Sequence, residues 1–223
     1  MNIVEYADQE MLAMHVADLL ASELKKCLMQ HDFASFAVPG GASPGPIFDI
    51  LSGIRFDWEH VHVMLTDERW VPEEDPRSNT ALVRERLLTG HAADAKFIPF
   101  YAPNTNAVEG AKRAARRLEG ELPISLLLLG MGTDMHTASL FPGAEGLEEA
   151  MAHHAPALCR IKAPDQDIER VTLSAETLKG AMSTHLVIYG AEKREALEKA
   201  RRLRAREAPI AAVLGSGTVH WAP

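Results

Sequence analysis

The chain has 223 residues, is 47% hydrophobic and carries a formal charge of −8 at neutral pH, enough apolar material for one substantial core, so a single domain over residues 1–223 is expected. The acidic balance argues against nucleic acid or an anionic membrane as the main partner, because both call for a basic face. No stretch approaches the roughly 18–20 apolar residues of a membrane span, the opening MNIVEYADQE is acidic where a signal peptide would be basic, and Cys27 and Cys159 form no ligand-spaced pair; these features predict a cytoplasmic protein with two buried thiols.

In chain order, residues 3–6 read as a short strand, after which Asp8 caps a helix whose apolar face is Leu12, Val16, Leu19 and Leu20, continuing to Cys27 and Leu28. A strand over 33–38 stops at Pro39-Gly40-Gly41. A helix over 44–51, a strand over 61–66 and a helix over 79–88 follow, and between the last two runs a polar loop, DERWVPEEDPRS, longer than most connections and therefore a candidate site segment. Residues 97–101 read as a short strand and 107–119 as an amphipathic helix. ISLLLL at 124–129 is an uninterrupted apolar run of the kind found in a central parallel strand. The last third offers strands over 157–161, 171–174, 185–189 and 218–221, with helices around 176–181 and 192–204.

Strands alternating with helices predict an α/β fold: a Rossmann-like, mostly parallel sheet with helices on both faces and right-handed crossovers. Ligands of such sheets bind beyond the carboxyl ends of the strands, and three segments leave strands there. At Pro39 to Ser43, Gly40 and Gly41 let backbone approach a ligand, a following helix start offers free N–H groups to a phosphate, and Ser43 adds a hydroxyl; the plain alternative is a strand-to-helix turn. At Asp67-Glu68-Arg69, Arg69 is suited to grip an oxyanion or phosphate and Asp67 to orient a hydroxyl or water, unless the two are a solvated ion pair. Between Gly130 and Gly143, Asp134 and His136 share a loop with Thr137 and Ser139. A histidine there can move protons near neutral pH, or can be hydrogen-bonded within its loop. Arg170 and Lys193 are cations that would complete a phosphate pocket, whereas Arg201, Arg202, Arg204 and Arg206 read as a charged helix surface. His153 and His154 read as surface residues, and no histidine pair has convincing ligand spacing, so no metal is expected.

VPGGASP, TDERWVPEEDPRSN, LLLLGMGTDMHTASLFPG, RVTLS and GAEKREAL, in that order over residues 38–198, closely resemble the 6-phosphogluconolactonase family of the pentose phosphate pathway. The third motif is the most specific, usually reading LGxGxDGHTASLFPG. This sequence departs from it at Met135, where the family usually has glycine, and from the first motif at Pro39, where a serine often stands. A glycine at 135 would permit a positive φ, so methionine there implies either strain or a shifted loop.

The resemblance implies a lactone hydrolase acting on 6-phosphogluconolactone without a cofactor, with a sugar phosphate as its small-molecule partner; a monomer or small homo-oligomer is expected. It implies His136 as general base toward water, with Asp67 as the alternative. Asp134 and Asp67 would orient His136, water or sugar hydroxyls. Arg69 and backbone N–H groups of the 130–137 loop would receive the oxyanion, and Gly40, Gly41, Ser43, Arg170 and Lys193 would hold the phosphate. Two other readings are an amino-sugar-phosphate deaminase or isomerase, whose similar loop typically continues with asparagine, glutamate and proline, and a non-catalytic sugar-phosphate sensor, suggested by Met135 alone.

Overall fold

The computed structural model describes residues 2–164, 166–215 and 217–223. Its strands are β1 (Asn2–Glu5), β2 (Ala34–Val38), β3 (Val61–Leu65), β4 (Asp67–Arg69), β5 (Lys96–Ile98), β6 (Leu126–Leu129), β7 (Leu158–Ile161), β8 (Arg170–Leu173), β9 (Ser183–Tyr189) and β10 (Thr218–Ala222). Helices are α1 (Gln9–Leu28), α2 (Gly45–Ser52), α3 (Asn79–Arg86), α4 (Ala107–Leu118), α5 (Leu147–Ala150), α6 (Ala175–Lys179), α7 (Ala191–Ala200) and α8 (Pro209–Leu214). Among the described residues, seven strands form one sheet in the order β1-β10-β9-β6-β2-β3-β5, and every pairing in it is parallel.

That order fixes where the helices go. The crossovers β1-α1-β2, β2-α2-β3 and β3-α3-β5 move along the sheet one way, while those from β5 through α4 to β6, from β6 to β9 and from β9 to β10 move the other way. Right-handed crossovers therefore put α1, α2 and α3 on one face and α4, α7 and α8 on the opposite face. Contacts between α1 and α2 on one side, and of α8 with α6 and α7 on the other, agree with this. The direction reverses between the neighbours β2 and β6, so the crevice that open α/β sheets use for ligands lies beyond Val38 and Leu129.

Burial explains the sequence patterns. All of β2 and all of β6 are buried, which is why neither shows a regular alternation of polar and apolar residues. Asp8 caps α1 by accepting from the Met11 N–H, and Leu12, Val16, Leu20 and Leu24 form its inward stripe. The stripe ends at Leu24, so Cys27 is only partly buried, contrary to expectation, whereas Cys159 is buried. Burial, helped by Glu149, pushes the Cys159 thiol up to about 12, which makes it an inert packing group.

Three expectations need correction. The 67–78 segment is not all loop: Asp67–Arg69 is strand β4, paired antiparallel with β8. The strands near 157–161 and 171–174 do not enter the main sheet but form a second, antiparallel sheet in the order β4-β8-β7. Helix α8 was not foreseen, and α7 stops at Ala200 rather than near 204. Thr66 is the branch point between the sheets, its N–H donating to the Val38 carbonyl at 2.8 Å and its own carbonyl accepting from the Leu173 N–H at 2.9 Å. The chain thus leaves β3 and enters the side sheet within one residue, swinging Asp67 and Arg69 over the crevice.

Candidate active site

Beyond the ends of β2, β3 and β6 lies a cleft of about 280 Å³, near the lower end of small-molecule sites. Its lining includes Gly40, Gly41, Ser43, Asp67, Arg69, His136, Arg170 and Lys193, which are all but one of the residues the sequence singles out. The exception, Asp134, is exposed and is not part of the lining, but it is tied to the lining residue His136. Three cations face one carboxylate here in a chain of net charge −8, so the site is locally cationic against the global field.

The β6 loop closes on itself. Gly132 N–H donates to the His136 carbonyl at 3.1 Å, Met135 N–H to the Gly132 carbonyl at 3.0 Å, and His136 N–H to Asp134 Oδ1 at 3.2 Å. Three of the N–H groups considered for an oxyanion are therefore spent inside the loop, which narrows that expectation and leaves Arg69 as its side-chain candidate. A Cβ at Gly132 would overlap both the His136 ring and the Asp134 carboxylate, so glycine is what allows these two side chains to meet. Asp134 Oδ1 lies 2.5 Å from His136 Nδ1, and the ring packs on Phe141 with centroids 4.2 Å apart. A proton on Nδ1, given to the carboxylate, leaves Nε2 as the basic nitrogen.

Met135 adopts φ +67°. Of the two consequences expected for a non-glycine residue here, the loop keeps the left-handed geometry and the methionine accepts the strain. Its side chain packs against the core and is not part of the cleft lining, while its carbonyl accepts from the Ile210 N–H of α8 at 3.2 Å. Met135→Gly is accordingly expected to keep turnover within about threefold of wild type in steady-state hydrolysis; a tenfold change would mean that the side chain acts in the site.

On the opposite wall, Asp67 is buried and its carboxylate is engaged. Thr66 Oγ1 donates to Oδ1 at 3.2 Å, Ser139 Oγ donates to Oδ2 at 2.5 Å, and Arg170 Nη1 lies 3.6 Å from Oδ2. Arg170 also stacks over Phe141, 5.1 Å from its centroid, and donates from Nη2 to Gln166 Oε1 at 2.8 Å. Burial pulls its pKa down first, Asp67 pulls it back up, and Arg69 lowers it. The reason for the last effect is the register: Arg69 and Arg170 face each other across β4 and β8. Phe141 thus lies between His136 and Arg170, a contact that sequence reasoning missed although the residue belongs to the quoted motif.

Asn79 lines the cleft as well. Its Nδ2 donates to the Asp67 carbonyl at 2.8 Å and its Oδ1 accepts from Arg69 Nη1. Gly40 packs so closely on this amide that a Cβ would overlap it, and Gly41 takes φ +83°, so both glycines are needed for shape. Ser43 lines the cleft just before α2, whose first residue is Gly45 and which has no side-chain cap. Lys193 comes from the first turn of α7, and burial lowers its pKa. Among the described residues no three His, Cys, Asp or Glu side chains converge as a metal would need, and no helix is long and apolar enough to cross a membrane. His153 and His154 are exposed, as expected.

Residues 7–221 match the family of glucosamine-6-phosphate isomerases/6-phosphogluconolactonase. The chain belongs to this family. Within the glucosamine-6-phosphate isomerase/6-phosphogluconolactonase family it is 40% identical over 208 residues to a Pseudomonas aeruginosa protein named 6-phosphogluconolactonase, covering 92% of this chain and 87% of that one. A Rhizobium meliloti protein of the same name is 36% identical over 229 residues, covering 100% and 99%. The crystal structure of a 6-phosphogluconolactonase from Shewanella baltica OS155 superposes with TM-score 0.96 at 31% identity over 100% of this chain and 98% of that one. The fold alone is shared with a monomeric glucosamine-6-phosphate deaminase, which superposes with TM-score 0.80 at 17% identity, over 100% of this chain and 97% of that one.

Proposed function

We propose that this protein hydrolyses 6-phosphogluconolactone to 6-phosphogluconate. The observation that carries the chemistry is His136, tied through Nδ1 to Asp134 and lining, with a basic Nε2, a cleft walled by Arg69, Arg170 and Lys193. Full-length relatives named 6-phosphogluconolactonase support the choice of substrate. The deaminase alternative lacks support in the loop itself, which runs Thr137-Ala138-Ser139-Leu140-Phe141-Pro142 with no glutamate before the proline. The sensor alternative rested on Met135, which lies off the cleft lining.

In this reading His136 Nε2 takes a proton from water as the water oxygen attacks the lactone carbonyl. The imidazolium, stabilised by Asp134, then returns a proton to the departing ring oxygen. Asp67 is the weaker candidate for base, because its oxygens already accept from Thr66 and Ser139 and one of them lies close to Arg170. Its part is to orient those groups. Arg69 is the donor for the tetrahedral oxyanion. The Gly40-Gly41 turn, Ser43, Arg170 and Lys193 hold the phosphate, whose binding keeps the lactone in register with His136.

The test is hydrolysis of freshly made 6-phosphogluconolactone with the spontaneous rate subtracted. Clear acceleration supports the reading, whereas release of ammonia from glucosamine 6-phosphate would replace it with the deaminase. Lys193→Ala should raise KM by about tenfold or more with a much smaller change in kcat, as expected for a contact made equally in ground and transition states. A fall in kcat at unchanged KM would move Lys193 to the reacting end.

A further inference from the structure

We infer that Glu68 is a positioning residue that aims Arg69 at the reacting end of the cleft; this rests on the lactonase reading above. Glu68 is wholly enclosed, yet its hydrogen-bond partners are neutral. Oε1 accepts from the N–H groups of Arg69 at 2.8 Å and Asn79 at 2.7 Å. Oε2 accepts from the Thr80 N–H and Oγ1, each at 2.8 Å, and from Ser78 Oγ at 3.0 Å. Five donors fill both oxygens, and three of the residues concerned, Ser78, Asn79 and Thr80, form the start of α3, where the helix dipole favours an anion.

One oxygen therefore fixes two backbones at once. Asn79, held by its N–H, grips Arg69 Nη1 with its side-chain oxygen, so Glu68, Asn79 and Arg69 close a ring that sets both ends of the arginine. A second observation explains why a charge is needed beneath it. Arg69 stands directly opposite Arg170 on neighbouring strands, and facing like charges repel. Asp67 and Glu68 are the two carboxylates whose fields oppose that repulsion at Arg170. A neutral residue at 68 would weaken the hold on the arginine's backbone and raise the repulsion that drives it out of the cleft. Glu68 does not itself line the cleft and acts through Arg69 and Asn79, which do.

The experiment is a double-mutant cycle on the intact protein. Glu68→Gln, which keeps the shape and removes the charge, should lower kcat for the lactone by about tenfold or more with KM changed less than about threefold. In an Arg69→Ala background the same substitution should change kcat by less than about twofold, because the arginine it positions is gone. A kcat near wild type for Glu68→Gln, or an equal loss in both backgrounds, would overturn the inference, the second outcome marking Glu68 as merely structural. Where Glu68→Gln fails to fold, Thr80→Val removes one hydroxyl donor and leaves the carboxylate in place. A smaller kcat loss that vanishes in the Arg69→Ala background then supports the inference, and one that persists there refutes it. Absence of wild-type turnover is a different failure: it removes the lactonase reading and this inference with it.

Discussion

His136→Ala is expected to lower lactone turnover by about 100-fold or more, the range that loss of a positioned general base produces, while 6-phosphogluconate still binds. The reason is a division of labour across the cleft. His136 is held by a turn built within its own loop and by the Phe141 ring, so its removal leaves the opposite wall, with Asp67, Arg69 and Arg170, standing. Product affinity, measured by titration calorimetry, should therefore stay within a few-fold of wild type as kcat collapses. A fully active alanine variant would shift the proton transfer to Asp67, the carboxylate among the described residues that line the cleft.

Acid should destabilise the fold well before carboxylates in general are protonated, and the cause lies away from the cleft. Tyr6 Oη lies 2.8 Å from His220 Nδ1, His220 Nε2 lies 3.0 Å from His185 Nδ1, and His185 Nε2 lies 3.2 Å from Glu23. Each group has a partner when both rings are neutral: Tyr6 donates to His220, His220 to His185, and His185 to the carboxylate. Burial, then repulsion from His185 and His15, outweigh the pull of Glu23 and lower the His220 pKa to about 4. The unfolded chain takes up its proton near pH 6.5, so stability present above that pH is lost as pH falls from there toward 4. A gap of about 2.5 units is worth about 3 kcal/mol, or roughly 10 °C in melting temperature for a chain of this size. Glu68 opposes the trend at the acid end, since burial raises its carboxyl pKa and the folded state then takes that proton first. Melting curves of wild type and His220→Asn between pH 7 and pH 4 isolate the effect. The wild type should lose several degrees more than the variant, and parallel losses would show that the relay does not titrate in this way.

Much of the site is legible in the sequence because it is local. Asp134 and His136 are two residues apart, and Gly132, the glycine that lets them meet, stands two positions before Asp134, so the motif carries its own geometry. The apolar run at β6 likewise announces a parallel sheet, since a strand covered on both faces leaves no polar alternation. Helix α1 announces itself by its cap and stripe. Strand β4 could not be read this way: Asp and Glu disfavour strands, and Asp67–Arg69 is extended only because β8 pairs with it. Nor can alternation tell which sheet a strand joins, so β7 and β8 looked like members of the main one. Helix α8, at six residues, is too short for a period to show.

The amino-acid sequence thus determined the strand and helix alternation, the three strand ends that carry chemistry and the family likeness, all of which depend on residues close together along the chain. Tertiary structure alone decided that Arg69 faces Arg170, that Glu68 is enclosed among donors up to twelve positions away, and that His185 meets His220 across two parallel strands. These depend on long-range pairing and on what burial does to a charge, and neither leaves a local pattern for periodicity to report.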